Sequence, residues 1–314
     1  MSGAHRPLIL GALSGLPVDS VEPFARSLRA TGFTGRLSIV AAGYDAVQLK
    51  ELEALADHVH TVDEEYGKNH PRTFALLRQI RGTRGLRRIY PRLFEEIACS
   101  VPEPASSERW KSMELHLEGL QSLRYTHYYR YLLEDAVDVD SVMITDLRDV
   151  IFQRDPFAAP VTGLELYLED DSVRIGVDAF NTRWLCDLFG RAYVDAMRGR
   201  PVSCSGTVFG TRDAMMKYLS EMMTSIARRR RPMGPHDQGI HNALIQDGRL
   251  PQAQVVPNEQ GRVLTLGRMK SPRVDDDGLL LNVDGRVPAV VHQWDRHPQL
   301  VPQLRTFRTE SVRK

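Results

Sequence analysis

Two aspartates and an arginine interrupt an apolar run in the middle of the chain. The segment VMITDLRDVIFQRDPF, residues 142–157, carries Asp146, Arg148 and Asp149 directly after Thr145. Aspartates at the carboxyl end of a buried strand can present oxygens to one divalent cation, and Mg²⁺ or Mn²⁺ suits carboxylates together with diphosphate oxygens. Arg148 favours a phosphate or an internal ion pair. Because this spacing is common, the alternative is a solvated, capped turn in which Arg148 pairs with a neighbour.

Composition and charge exclude several classes of partner. The chain has 314 residues, and 41 Lys and Arg nearly cancel 40 Asp and Glu. A formal charge of +1 gives no overall field toward nucleic acid or an anionic membrane, so an anionic ligand would need a local site. Cys99, Cys186 and Cys204 lack the spacing of a disulfide framework or a zinc site. The N-terminal apolar stretch is too short for a signal peptide or a membrane span, so we expect a cytoplasmic protein without an integral membrane segment.

Alternating strand and helix patterns indicate an α/β fold. Apolar runs predict strands in RPLILGALSGLP, GRLSIVAAG and VHTVDEE, and helical spacing predicts helices in VDSVEPFARSLRATG, which stops at Gly32, and DAVQLKELEALADH. Strands separated by helices of this length form βαβ units. We therefore expect a central, mostly parallel mixed sheet flanked by helices.

The same patterns extend through the rest of the chain. Helices are predicted up to residue 136, over 181–199 and in RDAMMKYLSEMMTSIARRRR. Strands are predicted in several further segments, which are DSVMITDLRDVIF, GLELYLEDD, PVSCSGTVFGT, AQVVP, RVLTLG, GLLLNV and PAVVHQW. Without a linker or a repeat, residues 1–314 are predicted to form a single domain.

The segment at 142–157 resembles the central segment of GT-A glycosyltransferases. In that family a buried strand delivers a D-x-D-type motif, followed by an apolar VVF and a polar turn that ends in DPF. Alignment on VIF puts Asp149 at the second aspartate of the motif and Leu147 at the first, with Asp146 one residue earlier. The pattern here is therefore D-x-x-D. The resemblance implies a Rossmann-like GT-A domain and a metal ion, Mn²⁺ or Mg²⁺, held by Asp149 and Asp146.

A helical segment upstream, LRYTHYYRYL, resembles the family's helix whose Tyr/Arg pair faces the nucleotide-sugar. Tyr129 and Arg130 occupy those positions, and Arg124 lies one to two turns earlier. The alternative is an aromatic stripe packed in the core. That alternative fits three tyrosines of this helix better, which are Tyr125, Tyr128 and Tyr131.

Two segments downstream resemble parts of the family's donor site. VSCSGTVFGT resembles the strand and loop beside the donor sugar, with Ser205, Gly206 and Thr207 as lining residues; the alternative is a packed strand with a tight bend at Gly206. HDQGIHNALI resembles a D-Q-x-x-x-N segment at a helix start. Asp237 would hold sugar hydroxyls and Gln238 would approach the anomeric carbon, although Asp237 can also simply cap the helix.

The C-terminal segment AVVHQWDRHP resembles the part of GT-A enzymes in which a histidine completes the metal shell. His292 is the candidate ligand and His297 a weaker one, while Trp294 and Arg296 would close over the diphosphate. A lone histidine at a strand end is more often structural. The basic run at 228–231 is best explained as a solvated helix end, with an acceptor-side or membrane-surface patch as the alternative.

Together these matches, over about residues 6–298, imply a glycosyltransferase. It would move a sugar from a UDP- or GDP-linked nucleoside diphosphate sugar to an acceptor hydroxyl on a glycan or small molecule. The half at about 6–160 would bind the nucleotide, with the base near Ala12 and Ser14, and the half at about 161–300 would bind the sugar and acceptor. Arg130 would aid departure of the diphosphate, and no nucleic-acid partner is expected.

The resemblance to glycogenin-like and galactosyltransferase-like enzymes implies retention of configuration at the anomeric carbon. An inverting enzyme would need a carboxylate base, for which four residues are available, namely Glu169, Asp170, Asp171 and Asp237. Two alternatives remain open. A sugar nucleotidyltransferase is disfavoured because the first loop, ALSGLPVDS, lacks a Gly-rich segment with Lys or Arg. A nucleotide-sugar-binding protein without catalysis remains compatible with the D-x-x-D pattern.

Overall fold

Short apolar runs of the sequence form β-strands that are mostly buried. The computed structural model describes residues 6–62, 120–227, 236–297 and 299–300, and the statements below concern those residues. The strands in these ranges are β1 (Pro7–Ser14), β2 (Arg36–Ala42), β3 (His58–Thr61), β4 (Ser141–Thr145), β5 (Val150–Phe152), β6 (Leu164–Leu168), β7 (Ser203–Thr211), β8 (Ala253–Val256), β9 (Val263–Thr265), β10 (Arg273–Val274), β11 (Leu280–Leu281) and β12 (Val290–His292).

Amphipathic segments between the strands form the helices. They are α1 (Glu22–Ala30), α2 (Ala46–Glu53), α3 (Leu120–Glu134), α4 (Ala179–Phe189), α5 (Arg191–Ala196), α6 (Arg212–Ala227) and α7 (Asp237–Gln246), with short 3₁₀ helices at Val18–Ser20 and Trp294–Arg296. Local signals set several ends. Asp45 and Gln48 form a capping box at the start of α2. Gly32, with a φ of 79°, follows the end of α1 as predicted.

The central sheet has seven strands in the order β3-β2-β1-β4-β7-β6-β8. β7 runs antiparallel to its neighbours β4 and β6, and the other neighbouring pairs are parallel. Helices pack on the sheet, which confirms the predicted α/β class with a mostly parallel mixed sheet. Parallel strands β1, β4 and β6 end at one edge, where ligands bind in open α/β sheets.

A smaller sheet of three strands, in the order β5-β12-β9, lies beside the central one. β12 is antiparallel to β5 and parallel to β9. The prediction of one continuous strand over DSVMITDLRDVIF is therefore wrong. β4 ends at Thr145 and β5 begins at Val150 in the other sheet, because the polar turn between them changes the direction of the chain. β10 and β11 form a two-stranded ribbon.

Alternating side chains of the central strands supply two cores on opposite faces of the sheet. Leu8 and Leu10 of β1 pack with α3 and α6, whereas Ile9 packs with α1 and with Phe152 of the small sheet. Both faces are covered, so the strands read as nearly continuous apolar runs. Within the described ranges, no helix combines the length and apolar character that crossing a bilayer would require.

The basic run at 228–231 and Cys99 lie outside the described residues, as does the start of the helix predicted to end at residue 136. The division into a nucleotide half and a sugar half stays a prediction.

Candidate metal centre and adjoining cavities

The turn that contains the two aspartates is held between three strands. Asp146 directly follows β4, and its backbone N–H donates to the carbonyl of Gly206 in β7 at 2.8 Å. Asp149 directly precedes β5, and its carbonyl accepts the N–H of Gln293 at 2.8 Å. His292 ends β12 opposite Val150 of β5. Strand pairing, and not the turn alone, therefore sets the positions of both carboxylates and the imidazole.

Asp146, Asp149 and His292 can hold a metal ion. Each contributes one ligand atom, and these atoms lie within 4.8 Å of one another. Nε2 of His292 is 3.7 Å from Oδ2 of Asp146 and 3.7 Å from Oδ1 of Asp149. Nε2 is fully buried and has no hydrogen-bond partner among the described residues. A buried polar atom needs a partner, and a divalent cation between two carboxylates would supply one.

Leu147 occupies the position that aligns with the first aspartate of a D-x-D motif, but it cannot serve as a ligand. Its side chain is buried, and a Cβ on Gly11 of β1 would lie 2.4 Å from Leu147 Cδ2. The apolar residue anchors the turn in the core, so Asp146 and Asp149 face the same side. The D-x-x-D spacing therefore brings two carboxylates together.

Glycine is required at position 206 by the same geometry. A Cβ built there would lie 2.5 Å from Asp146 Oδ2 and 2.5 Å from His292 Cε1. Any larger residue would push the carboxylate and the imidazole away from their positions. Close approach of Asp146 and His292 is thus the physical reason for a glycine at position 206.

Arg124 connects two carboxylates in the wall of the site. Its Nη1 donates to Asp146 Oδ1 at 2.7 Å, and its Nη2 donates to Asp237 Oδ2 at 2.6 Å. Tyr125 also donates its hydroxyl to Asp237, at 3.0 Å. The guanidinium and Asp237 are largely buried, whereas the Asp146 side chain is 38% exposed, so the pair with Asp237 is the better shielded from water. The hydrogen bond to Arg124 orients the Asp146 carboxylate.

Burial and charge have different effects on the pKa values of the triad. Burial alone would raise the pKa of Asp146. The positive charge of Arg124 and the contact with His292 have a larger, opposite effect, so the pKa of Asp146 lies below its ordinary value. Burial and Asp146 raise the pKa of Asp149. Burial lowers the pKa of His292, while Cys204 and the carboxylates raise it above its ordinary value. A bound metal ion would take the place of the proton on Nε2.

A second polar group lies next to the triad. The amide of Gln238 donates to Glu169 Oε1 at 2.8 Å and to Asn181 Oδ1 at 2.9 Å. Cys204 Sγ lies 3.5 Å from Gln238 Oε1 and 3.7 Å from His292 Nδ1, so the thiol contacts both groups. Burial raises the pKa of Glu169, and Gln238 lowers it in part.

Two cavities meet at the aspartates of the triad, Asp146 and Asp149. The β1-side cavity, of about 510 Å³, lies at the end of β1, and the α4-side cavity, of about 470 Å³, lies against α4. Five residues line both, which are Gln121, Arg124, Asp146, Asp149 and Arg296. Each cavity is within the size range of small-molecule sites, roughly 300–1,000 Å³.

Many of the predicted site residues line these cavities. The β1-side cavity is also lined by Ala12, Ser14 and Arg148, and the α4-side cavity by Glu169, Ser205, Gly206, Asp237 and Gln238. Arg148 pairs with Asp295 at 3.2 Å. Segments far apart in the sequence are therefore brought to one edge of the sheet.

Four predicted donor-site residues lie elsewhere. Arg130 is 56% exposed and pairs with Glu134 at 3.7 Å. It lies on a different face of α3 from Arg124, because six residues make about one and two-thirds turns of an α-helix. Tyr129 lines neither cavity and packs in part against the core that α3 and α6 form with Leu8 and Leu10 of β1. Thr207 is fully buried, and Trp294 packs with Leu264 and Leu266 in an apolar cluster.

The other candidate bases and the second histidine have structural partners. Asp170 accepts the backbone N–H of Ser172, and Asp171 pairs with Arg174 at 2.7 Å. His297 is hydrogen-bonded through Nε2 to the carbonyl of Leu266 at 2.9 Å. These contacts leave Glu169 and Asp237 as the candidate carboxylates that line a cavity.

Several residues of the site had no clear signal in the sequence. They are Gln121, Asp178, Phe180, Asn181, Trp184, Cys204 and Arg268. Helical spacing gives a partial signal, because Gln121 lies one turn before Arg124 and Phe180 one turn before Trp184.

Neither the protein-family models nor the curated proteins compared with this sequence gave a match.

Proposed function

We propose that the protein is a metal-dependent glycosyltransferase that uses a nucleoside diphosphate sugar. The observation that carries this proposal is the Asp146–Asp149–His292 triad, whose two carboxylates line both of the adjoining cavities. A cation there would touch a ligand that spans both cavities. Such a ligand has one part at the end of β1, a charged centre at the triad and a second part beside Gln238.

The β1-side cavity suits the nucleotide. Ala12 and Ser14 lie at the end of a parallel strand, where small residues leave room for a base and ribose. Arg148 and Arg296 line the same cavity, and their guanidinium groups favour diphosphate oxygens. Arg124 is already paired with Asp146 and Asp237, so we assign it to positioning those carboxylates.

The α4-side cavity suits the transferred sugar. Asp237, Gln238 and Glu169 present oxygens and an amide that match sugar hydroxyls. A divalent cation held by the triad would supply Lewis-acid stabilisation of the departing diphosphate. Asp146 and Asp149 would hold the cation at that point. Gln238 is held by Glu169 and Asn181, and in this proposal it would lie beside the anomeric carbon.

We propose retention of configuration. The bond between the anomeric carbon and the diphosphate oxygen breaks with its electron pair remaining on the diphosphate. The acceptor oxygen then bonds to the anomeric carbon on the same face, and its proton passes to the leaving phosphate. Glu169 is the competing candidate base for inversion, because burial raises its pKa toward the range of a useful base. The anomeric configuration of the product, measured by NMR, distinguishes the two.

Turnover of donor sugars tests the proposal. We expect UDP- or GDP-sugars to be hydrolysed slowly in the presence of Mn²⁺, and we expect Asp149→Ala to abolish this activity. Asp155→Asn is the matched control, since Asp155 lies in the same segment but only accepts the N–H of Phe157. Mn²⁺-dependent binding of a donor without any turnover would instead favour the binding protein. Formation of a sugar nucleotide from a nucleoside triphosphate would favour the nucleotidyltransferase.

A further inference from the structure

Two aromatic side chains form the outer wall of the α4-side cavity, away from the metal ligands. Phe180 and Trp184 lie one turn apart on α4 and both line this cavity. Their ring centroids are 6.2 Å apart, and the rings are tilted by 47°. Phe180 is 60% exposed, so one face of this aromatic pair is accessible to a ligand. Neither nucleotide binding nor metal binding accounts for this wall.

The wall is held rigidly against the site. Asp178 caps α4 by accepting the backbone N–H of Asn181 at 2.9 Å, which fixes the first turn of the helix. On the other side, Gly239 of α7 lets the two helices approach closely. A Cβ there would lie 2.7 Å from Leu188 Cδ1 and 3.4 Å from Trp184 Cβ. This packing places Trp184 next to Gln238, the preceding residue of α7.

Polar groups line the rest of the cavity. Asn181, on the same turn as Phe180, accepts a hydrogen bond from Gln238 at 2.9 Å. Asp178 pairs with Arg268 at 3.5 Å, and both line the cavity. The cavity therefore has one apolar aromatic wall and a floor of charged and amide groups, and it opens onto Asp146 and Asp149.

We propose that Phe180 and Trp184 form a platform on which a pyranose ring of an acceptor saccharide stacks. A pyranose ring has an apolar C–H face and hydroxyl groups around its edge, which matches an aromatic wall beside a polar floor. A wholly apolar acceptor would displace water from this polar floor and make no hydrogen bonds to it in return. The carboxylates of Glu169 and Asp178 disfavour an anionic acceptor.

This inference rests on the proposed function and deepens it, since it names the acceptor class for the same site. The donor sugar lies beside Gln238, and the acceptor lies between that sugar and the aromatic wall. An acceptor hydroxyl then meets the anomeric carbon at the level of Gln238. The aromatic pair therefore governs acceptor binding, and it contributes little to binding of the nucleotide.

Fluorine NMR of protein labelled with 5-fluorotryptophan tests the inference. The chain has three tryptophans, and Trp184→Phe assigns the resonance of Trp184. The protein, with Mn²⁺ and UDP or GDP, is titrated with methyl hexosides, methyl N-acetylhexosaminides, maltose and lactose. We expect a saturable shift of the Trp184 resonance with at least one saccharide. We expect Phe180→Ala to raise the midpoint roughly 2- to 10-fold, the loss of one aromatic contact.

Phe189→Ala is the matched control. Phe189 is an exposed aromatic residue on the same helix, it contacts Tyr193, and it does not line the cavity. We expect that variant to bind saccharide and nucleotide as the unaltered protein does. An unchanged Trp184 resonance with every saccharide, in protein that binds nucleotide, overturns the acceptor inference alone. Equal effects of Phe180→Ala and Phe189→Ala also overturn it. Failure to bind any nucleotide overturns the proposed function, and this inference with it.

Discussion

The α-carbon of Gly206 lies directly beneath the carboxylate of Asp146, so that an added Cβ would be 2.5 Å from Oδ2. The backbone of the same glycine accepts the N–H of Asp146 at 2.8 Å. One residue of β7 therefore positions the aspartate through its carbonyl and leaves room for its side chain. The geometry of the candidate metal centre thus depends on β7, a strand that contributes none of its three candidate ligands.

Replacing this glycine tests the close approach. In Gly206→Ala the new methyl group would displace Asp146 and His292, so we expect Mn²⁺ affinity to fall by at least about tenfold, within the range typical of residues that support metal ligands. Mn²⁺ binding is measured by electron paramagnetic resonance. Gly210→Ala, on the same strand, would meet backbone at 3.3 Å but lies away from the metal centre. That control should lose stability and keep its Mn²⁺ affinity; loss of affinity in both variants alike would contradict the account.

Removing the guanidinium of Arg124 should lower the free energy of unfolding. Arg124→Met leaves Asp146 and Asp237 without their buried partner, and breaking a buried ion pair costs about 3–5 kcal/mol. Urea denaturation measures the free energy of unfolding. Arg130→Met, on the same helix, removes an exposed pair with Glu134, and we expect a change within about 0.5 kcal/mol. Similar losses in the two variants would show that the bridge made by Arg124 contributes little.

A buried histidine should make the protein sensitive to acid. His241 contacts Tyr218 and Ser203, and burial lowers its pKa to about 3 from an ordinary value of 6.5. The unfolded chain therefore binds this proton as the pH falls through 6.5, while the folded chain does not until near pH 3. The contribution of His241 to the free energy of unfolding is therefore fully present above pH 6.5. Below that pH it falls by up to about 1.4 kcal/mol per pH unit.

His241→Gln removes the ionisable group, so the decline in stability between pH 6.5 and pH 5 should be shallower in the variant. Urea denaturation at a series of pH values measures both slopes. The variant is expected to be less stable at neutral pH, but the comparison concerns the slope alone. Parallel pH dependences in the two proteins would contradict the assignment.

The sequence predicts the sheet class well, because it depends on local patterns. Apolar runs such as the one ending at Thr145 are long enough to fix a buried strand, and helical spacing fixes the elements between them. The break at Asp146 was not predictable from periodicity. Val150 resumes an apolar run, and only pairing with His292 of β12, far away in the chain, assigns it to another sheet.

Part of the candidate site could also be predicted from the sequence. The resemblance to GT-A enzymes predicts that Asp146, Asp149 and His292 lie together, and their ligand atoms do lie within 4.8 Å of one another. Arg130 shows what the sequence could not predict. The resemblance of the Tyr129–Arg130 pair does not determine which face of the helix points toward the site, and the guanidinium that is buried there belongs to Arg124. The spacing of Phe180 and Trp184 indicates that they share one helix face, but it does not indicate that this face lines a cavity. Their role depends on how α4 packs against Gly239 of α7, a contact between segments more than 50 residues apart.

Thermal unfolding with nucleotide diphosphates tests the central claim most directly. A ligand that binds only the folded state stabilises it by about 2.7 kcal/mol at 100 times its Kd. We expect UDP or GDP to raise the Tm when Mn²⁺ is present, to do so weakly without it, and to lose the effect in Asp149→Asn but not in Asp155→Asn. No shift with any nucleotide and Mn²⁺, or an equal shift in Asp149→Asn, would contradict a metal and diphosphate site at this triad.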